Sequence, residues 1–265
     1  MLRQKQYKRV NSNLWKEYWQ DKNCDDEFLK AKYHEIEPLV KKYTDKNGII
    51  LEGGCGLGRW VTYLHKEGYN ILGIDSCKDI VKKLNYKFPN LSVSYGDIKN
   101  LNFKNEYFST YISDGVMEHL EEGIDKPLKE AYRVLKPEGI LIITVPYLNL
   151  LRLFKELIHK SNSKKIRKDY EFYQYAYSKK EIIKKLNENG FEILNVKKYG
   201  AYRGLKELFL LGHMASNLEK KIGKNKEKKN KKLKFVLRRI MPMFRLLNWF
   251  SAHMFVVIAK KKKRF

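Results

Sequence analysis

The chain has 265 residues, of which 43% are hydrophobic and 13% aromatic, enough for the buried core of one domain with an insertion. Its three cysteines form no C-x-x-C pair and show no metal-ligand spacing with the six histidines. This argues against a structural zinc site and a disulfide framework, and it suggests a reducing compartment. The N-terminal residues are charged and aromatic rather than apolar, so a secretory signal is not expected.

The net charge of +25 belongs almost entirely to the second half of the chain. Residues 1–150 hold 23 Lys and Arg against 21 Asp and Glu, about +2, whereas residues 151–265 hold 32 against 9, about +23. A basic half favours an anionic partner, either nucleic acid or a phospholipid surface. The alternative is a compositional bias in which many of the lysines are only solvated.

Residues 1–46 are predicted to form an N-terminal helical cap. Trp15, Tyr18 and Trp19 are spaced at i, i+3 and i+4, so one helix face presents all three rings. Such a face either packs into the core or covers the mouth of a binding site.

A glycine-rich turn follows at residues 49–60. An apolar run ends in an acidic residue, Glu52, and leads into Gly54, Gly56 and Gly58. The pattern predicts a buried strand, a tight turn and the start of a helix, with glycines where the backbone must turn sharply and let a ligand approach. It does not fit the dinucleotide fingerprint G-x-G-x-x-G, because the third glycine comes one residue early. A carboxylate beside the turn would repel a pyrophosphate but would suit a cationic amino group.

The next strand, predicted at residues 69–75, ends in Asp75, 17 residues after Gly58. In a βαβ unit this places the carboxylate within reach of a ribose hydroxyl pair. A helix is predicted from Lys78 to Lys87, and a third strand over residues 91–95 precedes Gly96-Asp97-Ile98.

The fourth strand is predicted at residues 107–113 and leads into the stretch D-G-V-M-E-H-L at residues 114–120. A helix over residues 128–135 then meets a turn and a fifth strand, with the sequence R-V-L-K-P-E-G-I-L at residues 133–141.

These stretches resemble one known family in the right order. The pattern E-x-G-C-G-x-G at Glu52–Gly58 resembles motif I of the class I S-adenosylmethionine-dependent methyltransferases. Residues 113–120 and 133–141 resemble the type 11 group, which includes the ubiquinone and menaquinone biosynthesis enzymes; the departures lie at Asp114-Gly115, Met117 and Glu138. The resemblance implies an α/β, Rossmann-like sheet of seven mostly parallel strands with helices on both faces. Its strand order is 3-2-1-4-5-7-6, the last strand being antiparallel.

The resemblance also implies S-adenosyl-L-methionine as cofactor, with no metal. In the family the acidic residue of motif I helps to hold the methionine end, and the Asp and the apolar residue of the G-D-[IVAL] triplet lie at the adenine. The implied cofactor residues here are Glu52, Gly54, Cys55, Gly56, Gly58, Asp75, Ser76, Asp97, Ile98 and Ser113. His119 lies just beyond the fourth strand and is the candidate catalytic base, against the alternative of a structural histidine; Glu118 and Asp114 are weaker candidates.

The methyltransferase core is predicted over residues 47–200, followed by an insertion at 201–252 and a last core strand with a basic tail at 253–265. Within the core, a helix capped by Ser178 ends near Gly190, and residues 191–199 form a strand. The insertion is predicted to be basic, apolar and helical, with eleven Lys or Arg and one acid between Lys220 and Arg239. Its apolar runs are too short and too often broken by arginine to span a membrane. Three interpretations stay open: core helices with a lysine-rich loop, an interfacial helix on an anionic membrane, and an RNA contact.

We therefore expect a methyltransferase acting on the oxygen or nitrogen of a small-molecule, glycan or lipid-linked acceptor. We expect a cytoplasmic enzyme, and in one version of this hypothesis it acts at the cytoplasmic surface of the membrane. The alternative is an RNA methyltransferase that grips nucleic acid with its basic half. No N-P-P-Y, D-P-P-Y or Pro-Cys follows the fourth strand, which argues against the usual routes to nucleic-acid bases. A non-catalytic relative is disfavoured by the intact glycines and carboxylates.

Overall fold

The computed structural model describes residues 3–9, 14–150, 152–153, 170–201 and 252–263. These residues fall into two units. The first comprises the described residues within 1–146, 167–197 and 256–265, and the second those within 147–166 and 198–255. The predicted insertion lies almost wholly outside the described residues.

The first unit is built on a seven-stranded sheet. In the described part of the chain its strand order is β4-β3-β2-β5-β6-β9-β8. The strands are β2 (Ile49–Gly53), β3 (Asn70–Asp75), β4 (Ser92–Tyr95), β5 (Phe108–Asp114), β6 (Leu135–Pro146), β8 (Phe191–Tyr199) and β9 (Met254–Lys261). The first five are parallel neighbours.

Strand β9 runs antiparallel to its neighbours. The residues that flank β9 hydrogen-bond to opposite ends of β8. The Lys262 N–H donates to the Gly190 carbonyl (3.0 Å), and the His253 N–H donates to the Tyr199 carbonyl (3.0 Å). Numbered along the core, the strand order is therefore 3-2-1-4-5-7-6 with an antiparallel last strand. The predicted fold class is confirmed.

The described helices are α1 (Leu14–Gln20), α2 (Cys24–Lys32), α3 (Glu37–Tyr43), α4 (Arg59–Lys66), α5 (Lys78–Lys87), α6 (Asp125–Val134) and α7 (Lys179–Glu188). Helices α4, α5 and α6 connect β2 to β3, β3 to β4 and β5 to β6, as parallel neighbours require, whereas β4 leads to β5 without a helix. Helix α4 buries five consecutive residues at its start, and α6 buries Leu128, Ala131 and Val134 at helical spacing. Strand β2 is buried almost throughout because helices cover both faces of the parallel sheet.

Several local predictions are confirmed. Helix α5 and strand β8 have the expected bounds. Ser178 caps α7, since its hydroxyl accepts a hydrogen bond from the Glu181 N–H at 3.2 Å. The last strand begins and ends one residue later than expected.

The N-terminal region is not helical throughout. Residues Arg3–Arg9 form a strand, β1, which pairs antiparallel with β7 (Tyr170–Tyr177), a strand that the sequence did not predict. The register joins Arg3 to Tyr177 and Arg9 to Tyr170. Residues 170–177 are rich in Tyr and Phe, which favour strands, but Arg3–Arg9 does not alternate apolar and polar residues. The pairing joins residues more than 160 positions apart, so local patterns do not identify the partner strand.

No helix in the described part of the chain combines the length and the apolar character needed to cross a membrane.

Candidate active site

The glycine loop between β2 and α4 has a left-handed backbone at three alternate positions. The φ angles are +74° at Gly54, +52° at Gly56 and +75° at Gly58, a region that favours glycine. There is also no room for side chains. A Cβ added to Gly54 would lie 2.5 Å from a methyl group of Val116, and one added to Gly56 would lie 2.5 Å from the Trp19 ring. The glycines are thus required both by conformation and by close packing.

Glu52 lies at the end of β2, beneath this loop. Its Oε2 accepts a hydrogen bond from the Val61 N–H in the first turn of α4 (2.8 Å), so the carboxylate joins the strand to the helix. The side chain is buried, and burial raises its pKa to about 8, against the opposing effect of the Val61 hydrogen bond. The prediction that Glu52 helps to hold the methionine end of a cofactor stays a prediction. The structure assigns it a supporting position under the loop.

Asp75 ends β3 and contacts the glycine loop directly. Its Oδ2 accepts from the Gly56 N–H (2.8 Å) and its Oδ1 from the Cys77 N–H (2.8 Å). Burial raises the pKa of this carboxyl, while the two N–H groups oppose that shift. Each carboxylate oxygen has a second lone pair that can accept from a ligand hydroxyl. Ser76 is exposed beside it, and Cys55 is buried in the loop.

The turn after β4 carries two further predicted residues. Asp97 is exposed and accepts the Lys99 N–H at 2.9 Å, which fixes the turn. Ile98 is buried, and its Cγ2 lies 3.1 Å from the place where a Cβ on Gly53 would stand. The triplet therefore lies next to the end of β2, on the same sheet edge as Asp75.

At the end of β5 the structure shows a charge network that the sequence analysis missed. Asp114 accepts from Arg59 Nη1 (2.9 Å), Trp60 Nε1 (3.0 Å) and Thr144 Oγ1 (2.7 Å). Arg59 also pairs with Glu27 of α2, through Nη2 at 2.9 Å. Burial alone would raise the pKa values of both carboxyl groups, but Arg59 lies against both and holds them below the usual range.

This network has two consequences. Asp114 is held as an anion by three donors and is poorly suited to act as a base. A cationic Arg59 at the first position of a helix is disfavoured by the helix dipole. That unusual placement is the signal from which a partner carboxylate could have been predicted.

Ser113, also predicted as a cofactor residue, is fully buried at the end of the same strand. Its Oγ has no hydrogen-bond partner in the described part of the chain. A buried hydroxyl without a partner is uncommon, and the cofactor role of Ser113 stays a prediction.

His119 lies in a 3-10 turn (Met117–His119) after β5, between two other rings. The ring centroids lie 4.7 Å from Trp15 and 4.9 Å from Tyr173, both edge-on. Nδ1 lies 2.7 Å from the Tyr173 carbonyl oxygen, which can only accept, so Nδ1 carries the proton and Nε2 the lone pair. Burial lowers the pKa of His119 to about 4, although this hydrogen bond opposes the shift. The ring is therefore neutral near pH 7 and would be a weak base; its catalytic role stays a prediction.

The arrangement fits S-adenosylmethionine. The loop offers a cradle without Cβ atoms, and Asp75 offers free lone pairs at the end of the neighbouring strand. These groups meet at the carboxyl ends of adjacent parallel strands, where α/β sheets bind their ligands. Among the described residues, no group of three His, Cys, Asp or Glu is arranged to hold a metal ion.

Comparisons with known proteins agree with this geometry. Residues 51–143 match the family described as "Methyltransferase domain". An uncharacterized protein of Methanocaldococcus jannaschii is 30% identical over 54% of this chain and 55% of its own length. The ubiquinone/menaquinone biosynthesis C-methyltransferase UbiE of Campylobacter jejuni is 27% identical over 65% of this chain and 81% of its own length.

The fold is shared with solved structures. A crystal structure from Pyrococcus horikoshii superposes with a TM-score of 0.60 at 19% identity, covering 93% of this chain and 99% of that one. The chain spans about half the length of the Methanocaldococcus relative.

Proposed function

Since the chain is a class I S-adenosylmethionine-dependent methyltransferase, we propose that it methylates nitrogen or oxygen on a small-molecule, glycan or lipid-linked acceptor. The cofactor supplies a methyl group that its bond to a sulfonium already activates. The protein therefore needs little covalent chemistry of its own, and its residues hold the acceptor in line and exclude water.

One observation carries the proposal. The turn after β5 meets the glycine loop through Val116 and bears His119, which packs between the rings of Trp15 and Tyr173. Close-packed aromatic side chains with a few polar groups are typical of sites that enclose a small ligand. A flipped-out RNA base can also stack in an enclosed aromatic pocket, so the labelling experiment below is needed to separate the acceptor classes.

Cofactor binding is the first test. We expect calorimetric titration of the full chain to show saturable binding of S-adenosylmethionine. Asp75→Ala removes the carboxylate at the end of β3 and should weaken binding about tenfold or more, because a hydrogen bond to a charged group contributes about 1.5–3 kcal/mol. The matched control is Glu67→Ala, an exposed carboxylate on the far end of α4, which should bind normally. Equal binding by both variants would contradict the assigned site.

The acceptor class can then be read from a labelling experiment. A cell extract is incubated with the protein and S-adenosylmethionine labelled in the methyl group, and the extract is separated into water-soluble metabolites, lipids and RNA. Label in the metabolite or lipid fraction, lost in Asp75→Ala, supports the proposal. Label confined to RNA would overturn it.

We extend the proposal to the place of action, which would be the cytoplasm and the anionic surface of its membrane. The support is the charge of residues 151–265, with 32 Lys and Arg against 9 Asp and Glu. Flotation with vesicles that contain phosphatidylglycerol should carry the protein upward, whereas phosphatidylcholine vesicles should not. Deleting Lys220–Arg239 should abolish flotation; unchanged flotation would remove that segment from the proposal.

The same charge also supports the second candidate, an RNA methyltransferase. If it is correct, RNA affinity should fall steeply with salt, and deletion of Lys220–Arg239 should weaken the binding of all RNA sequences alike.

A further inference from the structure

Residues 96–107, all of which the structure describes, join β4 to β5 without a helix, and side chains of α6 hold their backbone. Arg133 donates from Nη2 to the Leu101 carbonyl (2.7 Å). Its Nη1 donates to the Phe103 carbonyl (2.7 Å) and to Oδ1 of Asn105 (3.0 Å). Glu130 accepts the Leu101 N–H at its Oε2 (2.7 Å). These side chains therefore supply the hydrogen-bond partners that a helix would otherwise give to the backbone.

Glu130 and Arg133, here called the α6 pair, also bind each other. They lie three residues apart on α6 and therefore share one face of the helix. Arg133 donates to both oxygens of Glu130, from Nε to Oε1 and from Nη2 to Oε2, each at 2.8 Å. This two-point contact fixes the plane of the guanidinium. The fixed plane allows one side chain to serve two carbonyls and an amide oxygen at once, which a lysine cannot do.

The held segment begins beside the carboxylate at the end of β3. The Gly96 N–H donates to the Asp75 carbonyl (3.1 Å), so Asp97 directly follows a residue that is bonded to the end of that strand. The Asn100 N–H donates to the Asp97 carbonyl (3.0 Å) and closes the turn. The next residue is Leu101, which the α6 pair holds at both its N–H and its carbonyl. The position of Asp97 therefore depends on that pair through a single tight turn.

Asp97 keeps one carboxylate oxygen for a ligand. Its Oδ1 accepts the Lys99 N–H (2.9 Å), whereas its Oδ2 lies 3.9 Å from Lys99 Nζ, beyond hydrogen-bond distance. The Lys99 ammonium instead donates to Glu122 (3.1 Å). The side chain of Asp97 is exposed. A carboxylate only accepts hydrogen bonds, so this oxygen favours a base with an amino group, such as adenine, over a base with a carbonyl in the same place.

We propose that the α6 pair positions Asp97 for the adenine of the cofactor and thereby sets the preference for adenine over other bases. The pair acts through the backbone of residues 97–101 and is a positioning element. The ribose is expected at Asp75 on β3, and β4 is the next strand outward, so the base is expected at the turn after β4. The inference uses the predicted adenine role of Asp97, which the same experiment tests. It concerns the cofactor and does not depend on the class of acceptor.

The test compares two ligands that differ at one position of the base. Calorimetric titration of the full chain gives the dissociation constants of S-adenosylhomocysteine and of S-inosylhomocysteine, in which a carbonyl replaces the 6-amino group. The wild type should bind S-adenosylhomocysteine at least about tenfold more tightly, because in the other ligand two acceptors face each other in place of a charged hydrogen bond. Arg133→Gln should reduce this preference to about threefold or less and change the affinity for S-inosylhomocysteine by less than about twofold.

Three further variants assign the effect to residues. Asp97→Asn keeps a side-chain oxygen for the Lys99 N–H and should remove the preference for adenine directly. Arg133→Lys keeps a cation beside Glu130 but not the planar fork, so it should also reduce the preference. Lys129→Gln is the matched control, since it removes an exposed cation from the same helix, and it should retain the full preference.

The double variant of Arg133→Gln and Asp97→Asn separates positioning from general stability. It should discriminate between the two ligands no differently from Asp97→Asn alone, because no carboxylate remains to be positioned. The inference is overturned by a wild type without preference for adenine, by an unchanged preference in Arg133→Gln even where both affinities fall, or by additive effects in the double variant. Circular dichroism checks the folding of each variant, and Arg133→Lys decides the test if Arg133→Gln does not fold.

Discussion

The carboxyl groups of Asp114 and Glu118 are both buried, four residues apart, yet their surroundings differ completely. Asp114 receives three donors, including Arg59, and its pKa lies below the usual range. Among the described residues Oε2 of Glu118 has no hydrogen-bond partner, and burial raises the pKa of this carboxyl to about 8. The difference separates a carboxyl group that the protein holds as an anion, between the ends of β5 and α4, from one that burial favours in the protonated form, in the turn beyond.

The largest loss of stability is expected when Arg59, the cation that pairs with Asp114, is replaced. Arg59→Met leaves Asp114 buried without its positive partner and takes one partner from Glu27, whose side chain is 1% exposed. Breaking a buried pair in this way costs about 3–5 kcal/mol of unfolding free energy, which urea titration measures. Lys41→Met, which breaks an exposed pair with Glu67, is the control and should cost less than about 1 kcal/mol. Equal losses of unfolding free energy in the two variants would show that the Arg59 network contributes no more to stability than an exposed ion pair.

The next effect concerns the packing of the glycine loop. Gly56→Ala forces a side chain into a φ of +52° and against the Trp19 ring, so both the stability and the affinity for S-adenosylmethionine should fall. The conformational part alone is about 1–2 kcal/mol. Gly68→Ala isolates that part, because its φ is +83° but its Cβ would meet only the end of Lys46 at 3.8 Å. A similar loss in both variants would mean that the Trp19 contact contributes nothing.

The Glu118 carboxyl should make the stability of the protein depend on pH. The carboxyl of Glu118 has a folded pKa of about 8 against an ordinary value of 4.5, so between these values the folded protein holds a proton that the unfolded chain releases. Stability from this group is complete below pH 4.5 and is lost as the pH rises towards 8, by about 1.4 kcal/mol per pH unit. Glu118→Gln should therefore become progressively more stable than the wild type across this window. Glu52 shifts in the same direction but is present in both proteins, so the difference in urea midpoints isolates Glu118. A constant difference at all pH values would contradict the prediction.

The smallest effect on stability is expected at Ser113. Its buried hydroxyl has no partner in the part of the chain that the structure describes, so Ser113→Ala should change the unfolding free energy by less than about 1 kcal/mol. If the predicted cofactor role of Ser113 is correct, the same variant should bind S-adenosylmethionine more weakly. Thr144→Val removes a hydroxyl that donates to Asp114 at 2.7 Å and should be more destabilising, by about 1.5–3 kcal/mol. If Ser113→Ala were the more destabilising change, the hydroxyl would have a structural partner after all.

The sequence pattern alone determined the strand–turn–helix around Gly54, Gly56 and Gly58 and the carboxylate Asp75 at the end of the next strand, whereas the order of the sheet was predicted only from the resemblance to the methyltransferase family. These features depend on short-range patterns: glycine where φ is positive, apolar runs in buried strands, and fixed spacings within βαβ units. The bounds of α5 and the Ser178 cap of α7 are local in the same way.

Only the tertiary structure decided which buried polar groups have hydrogen-bond or ionic partners within the protein. The pairing of β1 with β7 and the bonds that Asp114 receives from Arg59 and Thr144 join segments far apart in the chain. Whether a carboxyl is held as an anion or left without a partner depends on such contacts and on burial, and neither is encoded in the spacing of residues. For this reason Asp114 and Glu118 looked alike in the sequence, although the fold holds the first as an anion and favours the protonated form of the second.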